Sequence, residues 1–118
     1  MKKLFEDDSY ELTQTLGPFG ISWPLVCSYA VVNKASGQYL KLTGKEKSYL
    51  LATLQNYVQL GGNPNDLKQL GFFKDVCSAV ANRGGLLWQF FFQSESPATR
   101  ARSLLMLSEA QKYDDNRR

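Results

Sequence analysis

Two Cys-Ser pairs, Cys27-Ser28 and Cys77-Ser78, are the positions most readily cast as nucleophiles, and neither has a base to activate it. The 118-residue sequence contains no histidine. Ser–His and Cys–His catalysis and histidine ligation of a metal are therefore excluded within it. Cys77 falls on the apolar stripe of a predicted helix, where burial raises a thiol's pKa and makes it inert. A Ser–Lys pair needs a desolvated lysine, and the lysines lie almost entirely outside apolar runs. With no C-x-x-C and no companion ligands, the two cysteines read as small buried hydrophobes in a reducing compartment. Their spacing alone leaves a disulfide open. The expectation is a protein that is not an enzyme and carries no cofactor.

Glu6-Asp7-Asp8 with Glu11 forms the sole acidic cluster. Only a hard cation would suit it, and such a cluster is more simply a solvated face, so no metal site is predicted. Two glycine-rich stretches, Gly61-Gly62 and Asn82-Arg83-Gly84-Gly85, each follow a predicted helix. Phosphates are cradled at helix N-termini, so these glycines fit caps better than a nucleotide site. Neither dinucleotide nor P-loop spacing occurs.

The net charge of +3 and pI near 8.9 are mild. Lysines are nevertheless concentrated in the middle of the chain. Lys34, Tyr39, Lys41, Lys45 and Lys47 sit on a predicted hairpin and the helix start after it. A ring between cations suits a phosphate backbone with stacked bases, and Arg83, Arg100 and Arg102 would extend it. The competing account is an ordinary lysine-rich edge that blocks strand association.

Long stretches without charge are the more unusual feature. Leu12–Asn33 has none in 22 residues and Ser48–Asn65 none in 18. The second holds a whole predicted helix whose outer face would be Ala52, Thr53, Gln55, Asn56 and Gln59. Solvent-facing helices normally carry Lys and Glu, whereas interface cores are poor in charge and rich in aromatic residues. The segment Gly17–Pro24 adds Phe19, Ile21 and Trp23 between two prolines, rings suited to anchoring a partner.

Several elements must position these residues. Composition, 43% hydrophobic with 21% charged, fits one compact domain over residues 1–118, with residues 1–7 and 114–118 frayed. Leu12 and Leu16, four apart, predict a weak amphipathic turn over residues 8–16. Residues 25–32 and Tyr39–Thr43 read as a hairpin around the turn 33–38, with Leu40 and Leu42 on one face and Tyr39 and Lys41 on the other. Thr43 and Glu46 match the capping box, and the helix they open carries Leu50, Leu51, Leu54, Tyr57 and Val58 as its stripe. Asn63-Pro64 opens a second helix with a stripe of Leu67, Leu70, Phe73, Cys77 and Val80. Leu86–Gln93 reads as a strand, an aggregation hazard that must be paired centrally or completed by a second subunit. Ser96-Pro97 starts a last helix with Ala101, Leu104, Leu105 and Leu107 inward.

The resulting fold class is α+β in the order (α)ββααβα, a three-stranded antiparallel sheet with helices packed on one face. The expected function is a small cytoplasmic protein that docks onto another protein as a regulator, inhibitor or adaptor. The docking surface would combine Phe19, Ile21, Trp23, Gln55, Asn56 and Gln59. The alternative is nucleic-acid binding through Lys34, Tyr39, Lys41, Lys45 and Lys47. No membrane partner is expected, and a homodimer stays open.

Overall fold

A computed structural model describes residues 2–15 and 27–116. Four antiparallel strands come first: β1 (Lys2–Glu6), β2 (Tyr10–Thr15), β3 (Ser28–Asn33) and β4 (Tyr39–Lys41), in one sheet whose strand order is the chain order. Helix α1 (Gly44–Gln59), a 3-10 turn at Pro64–Leu67, and helices α2 (Phe72–Ala81), α3 (Leu86–Phe92) and α4 (Pro97–Asn116) follow. The class is α+β as predicted. The order is not: all strands precede all helices, and the sheet has four strands, not three.

Two segments change type. As far as Thr15, the last described residue of the segment predicted over 8–16, the chain is not helical; most of it is β2, hydrogen-bonded to β1 on one side and β3 on the other. A four-residue spacing of leucines satisfies period 2 as well as period 3.6, and pairing on both edges decides between them. Lys2–Glu6, at an end the sequence predicts as frayed, is the edge strand that pairs with β2.

The run after Gly85 moves the other way, from predicted strand to helix. Leu86–Phe92 contains one polar residue, Gln89, so its hydrophobic pattern carries no usable period. Packing settles it: Phe91 and Phe92 are buried, Trp88 is half-buried, and Leu86 and Phe90 face out. Spacings of three and four put the first set on one side of a helix. As a helix the run needs no strand partner, so neither the central pairing nor the completion by a second subunit expected of it applies.

Two smaller corrections concern the helices. The helix predicted from Asn63 onward is interrupted: the 3-10 segment ends at Leu67, a turn follows, and Gly71 takes a φ of 79° immediately before α2. On α4, Ala101 and Leu104 are buried as predicted, but Leu107 is 53% exposed and Ser108 occupies the inward position one residue later.

The core lies between one face of the sheet and the helices. Leu12 pairs with Val31, and Val31 with Leu40, so these side chains share a face and pack with Leu50, Phe72 and Val76. A register shift between Lys3 and Phe5 lets both Leu4 and Phe5 lie against this core, and Phe5 stacks on Phe73 with centroids 6.4 Å apart. The hairpin alternation holds: Leu42 is buried while Tyr39 and Lys41 are exposed. Among the described residues, no helix is long and apolar enough to cross a membrane.

Candidate docking groove

Helix α1 has two working faces where the sequence predicts one. Its fully inward residues are Glu46, Tyr49, Leu50, Thr53 and Tyr57. Of the predicted stripe, Leu51 and Leu54 are half-buried and Val58 is 51% exposed. Thr53, predicted on the outer face, is buried and donates its hydroxyl to the Tyr49 carbonyl at 2.8 Å. The hydrogen bond offsets the desolvation of the hydroxyl, which lets Thr53 occupy an inward position.

The displaced leucines line a groove. Leu51, Leu54, Gln55, Val58 and Gln59 from α1 face Leu4, Gln14 and Tyr29 from the sheet across a space of about 660 Å³. Gln14 and Tyr29 are paired across strands, and the Gln14 amide donates to the Tyr29 hydroxyl at 3.1 Å. Burial pushes the Tyr29 phenol above its ordinary pKa, the nearby Cys27 adds to this, and the Gln14 bond only partly opposes it. Among the described residues, none that lines it carries a charge. Aliphatic walls with glutamine amides at the rim suit an apolar segment that also needs hydrogen bonds.

Of the residues predicted for docking, Gln55 and Gln59 line this groove, and Asn56 donates to the Ala52 carbonyl at 2.7 Å. Phe19, Ile21 and Trp23 lie outside the described residues. The sequence reading missed Leu4, Gln14, Tyr29, Leu51, Leu54 and Val58 as groove residues. The signal available was the width of the α1 stripe, since Leu51 and Leu54 fall to one side of Leu50 and Tyr57.

The hairpin cations have separate partners. Lys34 pairs with Glu6 at 2.7 Å, and Lys47 donates to the Cys27 carbonyl at 2.6 Å. Lys45 stands 5.3 Å over the Trp88 ring. Tyr39 and Lys41 remain exposed on β4. Of the arginines expected to extend the patch, Arg83 binds Glu46, and Arg100 binds Glu95, the Tyr49 hydroxyl and the Phe91 carbonyl. The acidic cluster is similarly engaged. Lys34 beside Glu6, with Glu11 next, holds the Glu6 carboxyl down to about 2, and Asp7 accepts from the Ser9 and Tyr10 amides.

Glu46 is a fully buried carboxylate that the sequence marks only as a helix cap. It accepts from the Thr43 amide at 2.8 Å, completing the capping box, and from Trp88 Nε1 at 2.9 Å. Arg83 binds both of its oxygens, through Nε at 2.9 Å and Nη2 at 2.8 Å. Burial pushes its pKa up, but the Arg83, Thr43 and Trp88 donors together outweigh burial and hold it below the ordinary value. Four donors on two oxygens leave no lone pair for a substrate proton, so the group ties elements together instead of acting as a base. Among the described residues, no cluster of three or more acids or cysteines is placed to hold a metal ion. Compared with known proteins, the chain matches no family model, no curated protein and no solved structure.

Proposed function

We propose that this chain works without catalysis, by docking onto another protein as a regulator, inhibitor or adaptor, and that it takes an apolar segment of its partner into the groove beside α1. The observation that carries this reading is the groove's lining, which among the described residues is aliphatic walls and three glutamine amides without a single charge. The same uncharged stretch of α1 supplies five of those residues. Burying an uncharged surface avoids the cost of stripping water from ions, and the amides give the partner's backbone hydrogen-bond partners.

Nucleic-acid binding through Lys34, Tyr39, Lys41, Lys45 and Lys47 is the weaker reading, because Lys34 and Lys47 spend their ammonium groups on Glu6 and on a backbone carbonyl. Salt separates the two, since phosphate contacts lose affinity steeply with ionic strength.

The test is capture of partners from host lysate by the wild-type chain and by Val58→Asp, with and without nuclease, at low and high salt. The half-exposed position of Val58 lets the substitution alter the groove without opening the core. Partners that survive nuclease and salt and are lost with Val58→Asp support the groove. Partners lost to nuclease, or retained by Val58→Asp, overturn it.

A further inference from the structure

We propose that the groove beside α1 recognises one uncharged carboxamide of its partner, held by the paired side chains of Gln14 and Tyr29 while an aliphatic group of the same segment packs on Leu51, Leu54 and Val58. This rests on the groove being the docking site and says what the partner must place there.

Gln14 and Tyr29 face each other in register across β2 and β3, two residues along from Leu12 and Val31 on the same face of the sheet. Both are more than nine-tenths buried, Tyr29 being 4% and Gln14 8% exposed. Gln55 and Gln59, by contrast, are exposed where α1 forms the rim. The pair is therefore the polar chemistry at the floor of an aliphatic groove.

A phenol hydroxyl offers one donor and a carboxamide two, with acceptor lone pairs on each. Among the described residues, the 3.1 Å bond from the Gln14 amide to the Tyr29 hydroxyl is the one hydrogen bond that these two side chains make. It leaves the Tyr29 O–H free to donate and the Gln14 carbonyl oxygen free to accept. Turning the amide over exchanges the roles and still leaves a donor and an acceptor. Burial keeps the phenol protonated, its pKa standing above the ordinary value.

Apolar residues would cover this row of the sheet without leaving buried polar atoms short of partners. A carboxamide meets the pair, because it accepts at one atom, donates at its neighbour and carries no charge. A carboxylate only accepts and an ammonium only donates. Either would also shed its hydration in a groove with no counter-charge among the described residues. In a partner protein the group is the side chain of Asn or Gln, or the peptide group beside an aliphatic residue. The space of about 660 Å³ takes such a group and its aliphatic neighbour together.

The test is an NMR titration of the full chain with hexanamide, hexanoate and hexylammonium at neutral pH, read on the methyls of Leu51, Leu54 and Val58 and on the Gln14 side-chain amide. The expected result is binding of hexanamide at least tenfold tighter than of either ion. Tyr29→Phe, which keeps the ring, weakens hexanamide about threefold to tenfold, the worth of one hydrogen bond. Gln14→Leu reduces the preference for the amide in the same way, with the backbone spectrum of both variants unchanged away from the groove. Equal shifts with all three probes overturn the carboxamide and leave the apolar groove standing. A preference that persists in both variants overturns the assignment to Gln14 and Tyr29. Groove signals that move with none of the probes overturn both the carboxamide and the docking groove.

Discussion

Gly62 lies flat against the ring of Tyr57: a methyl group on Gly62 would come within 2.6 Å of the ring's Cζ, and the Gly62 amide donates to the Tyr57 carbonyl at 2.9 Å. The close approach seals the C-terminal end of α1 over a side chain with no exposed surface. Gly62→Ala is therefore expected to destabilise the fold by about 2 kcal/mol through overpacking. Urea unfolding of the variant measures it, and an unchanged midpoint would refute the close contact.

The hydroxyl of Tyr57 is buried and has no hydrogen-bond partner among the described residues. An unpaired buried hydroxyl costs desolvation without recovering it. Tyr57→Phe removes the polar atom and keeps the ring, so it should leave stability unchanged or raise it by about 1 kcal/mol. A loss of stability in thermal unfolding would show that the hydroxyl is satisfied.

Arg83 gives its guanidinium to Glu46 and, through Nη2, to the Lys41 carbonyl at 2.5 Å, joining the α2–α3 connection to both α1 and β4. Replacing it strands a buried carboxylate. Arg83→Met should cost about 3 kcal/mol, the low end for such a break because the Arg83 side chain is 35% exposed. Glu46→Leu combined with Arg83→Met should lose less than the two single losses added together. Strict additivity in chemical unfolding would mean that the two charges do not depend on each other.

Glu46 also sets a pH dependence. Its folded pKa lies below the ordinary value of 4.5, so the unfolded state binds the proton more readily. The stabilisation is fully present above the unfolded value and is lost as pH falls through the folded one. The stability gap between the wild type and Arg83→Met should therefore narrow as pH falls through the carboxylate range, because the wild type loses the paired charge while the variant is relieved of a buried unpaired one. A gap that stays constant with pH in chemical unfolding would contradict this assignment.

Cys77 is inaccessible, and burial, with Asp7 adding to it, pushes its thiol up to about 12. Its alkylation at pH 8 should proceed only through unfolding, at a rate that rises with urea in step with the unfolded fraction. Rapid modification of Cys77 in the native protein, located by mass spectrometry, would mean that the α2 core opens locally.

What the sequence made legible was local. Thr43 and Glu46 announce a capping box, and Asn33–Gln38 announces the turn between β3 and β4, because each rests on hydrogen bonds among near neighbours. What it hid depended on distant partners. Leu12 reads equally as helix or strand until β1 and β3 pair with it, and Leu86–Phe92 is too uniformly apolar to declare a period. The candidate groove was half legible for the same reason. Gln55 and Gln59 stand out as uncharged positions on α1, whereas Leu4 and Tyr29 become neighbours of that helix only once the sheet is formed.

Strand order matching chain order has a consequence for synthesis. Among the described residues, every strand pairing lies within residues 2–41 and joins strands that follow one another in the chain, so no strand waits for a distant partner. The sheet can thus assemble as the chain leaves the ribosome, before any helix exists. Its core face, with Leu12, Tyr29 and Val31, then lacks the cover of Phe72 and Val76 until these emerge some forty residues later, with only α1 and its Leu50 arriving sooner. In that interval the nascent chain presents its most association-prone surface, and the speed of translation through α1 governs how long it does so.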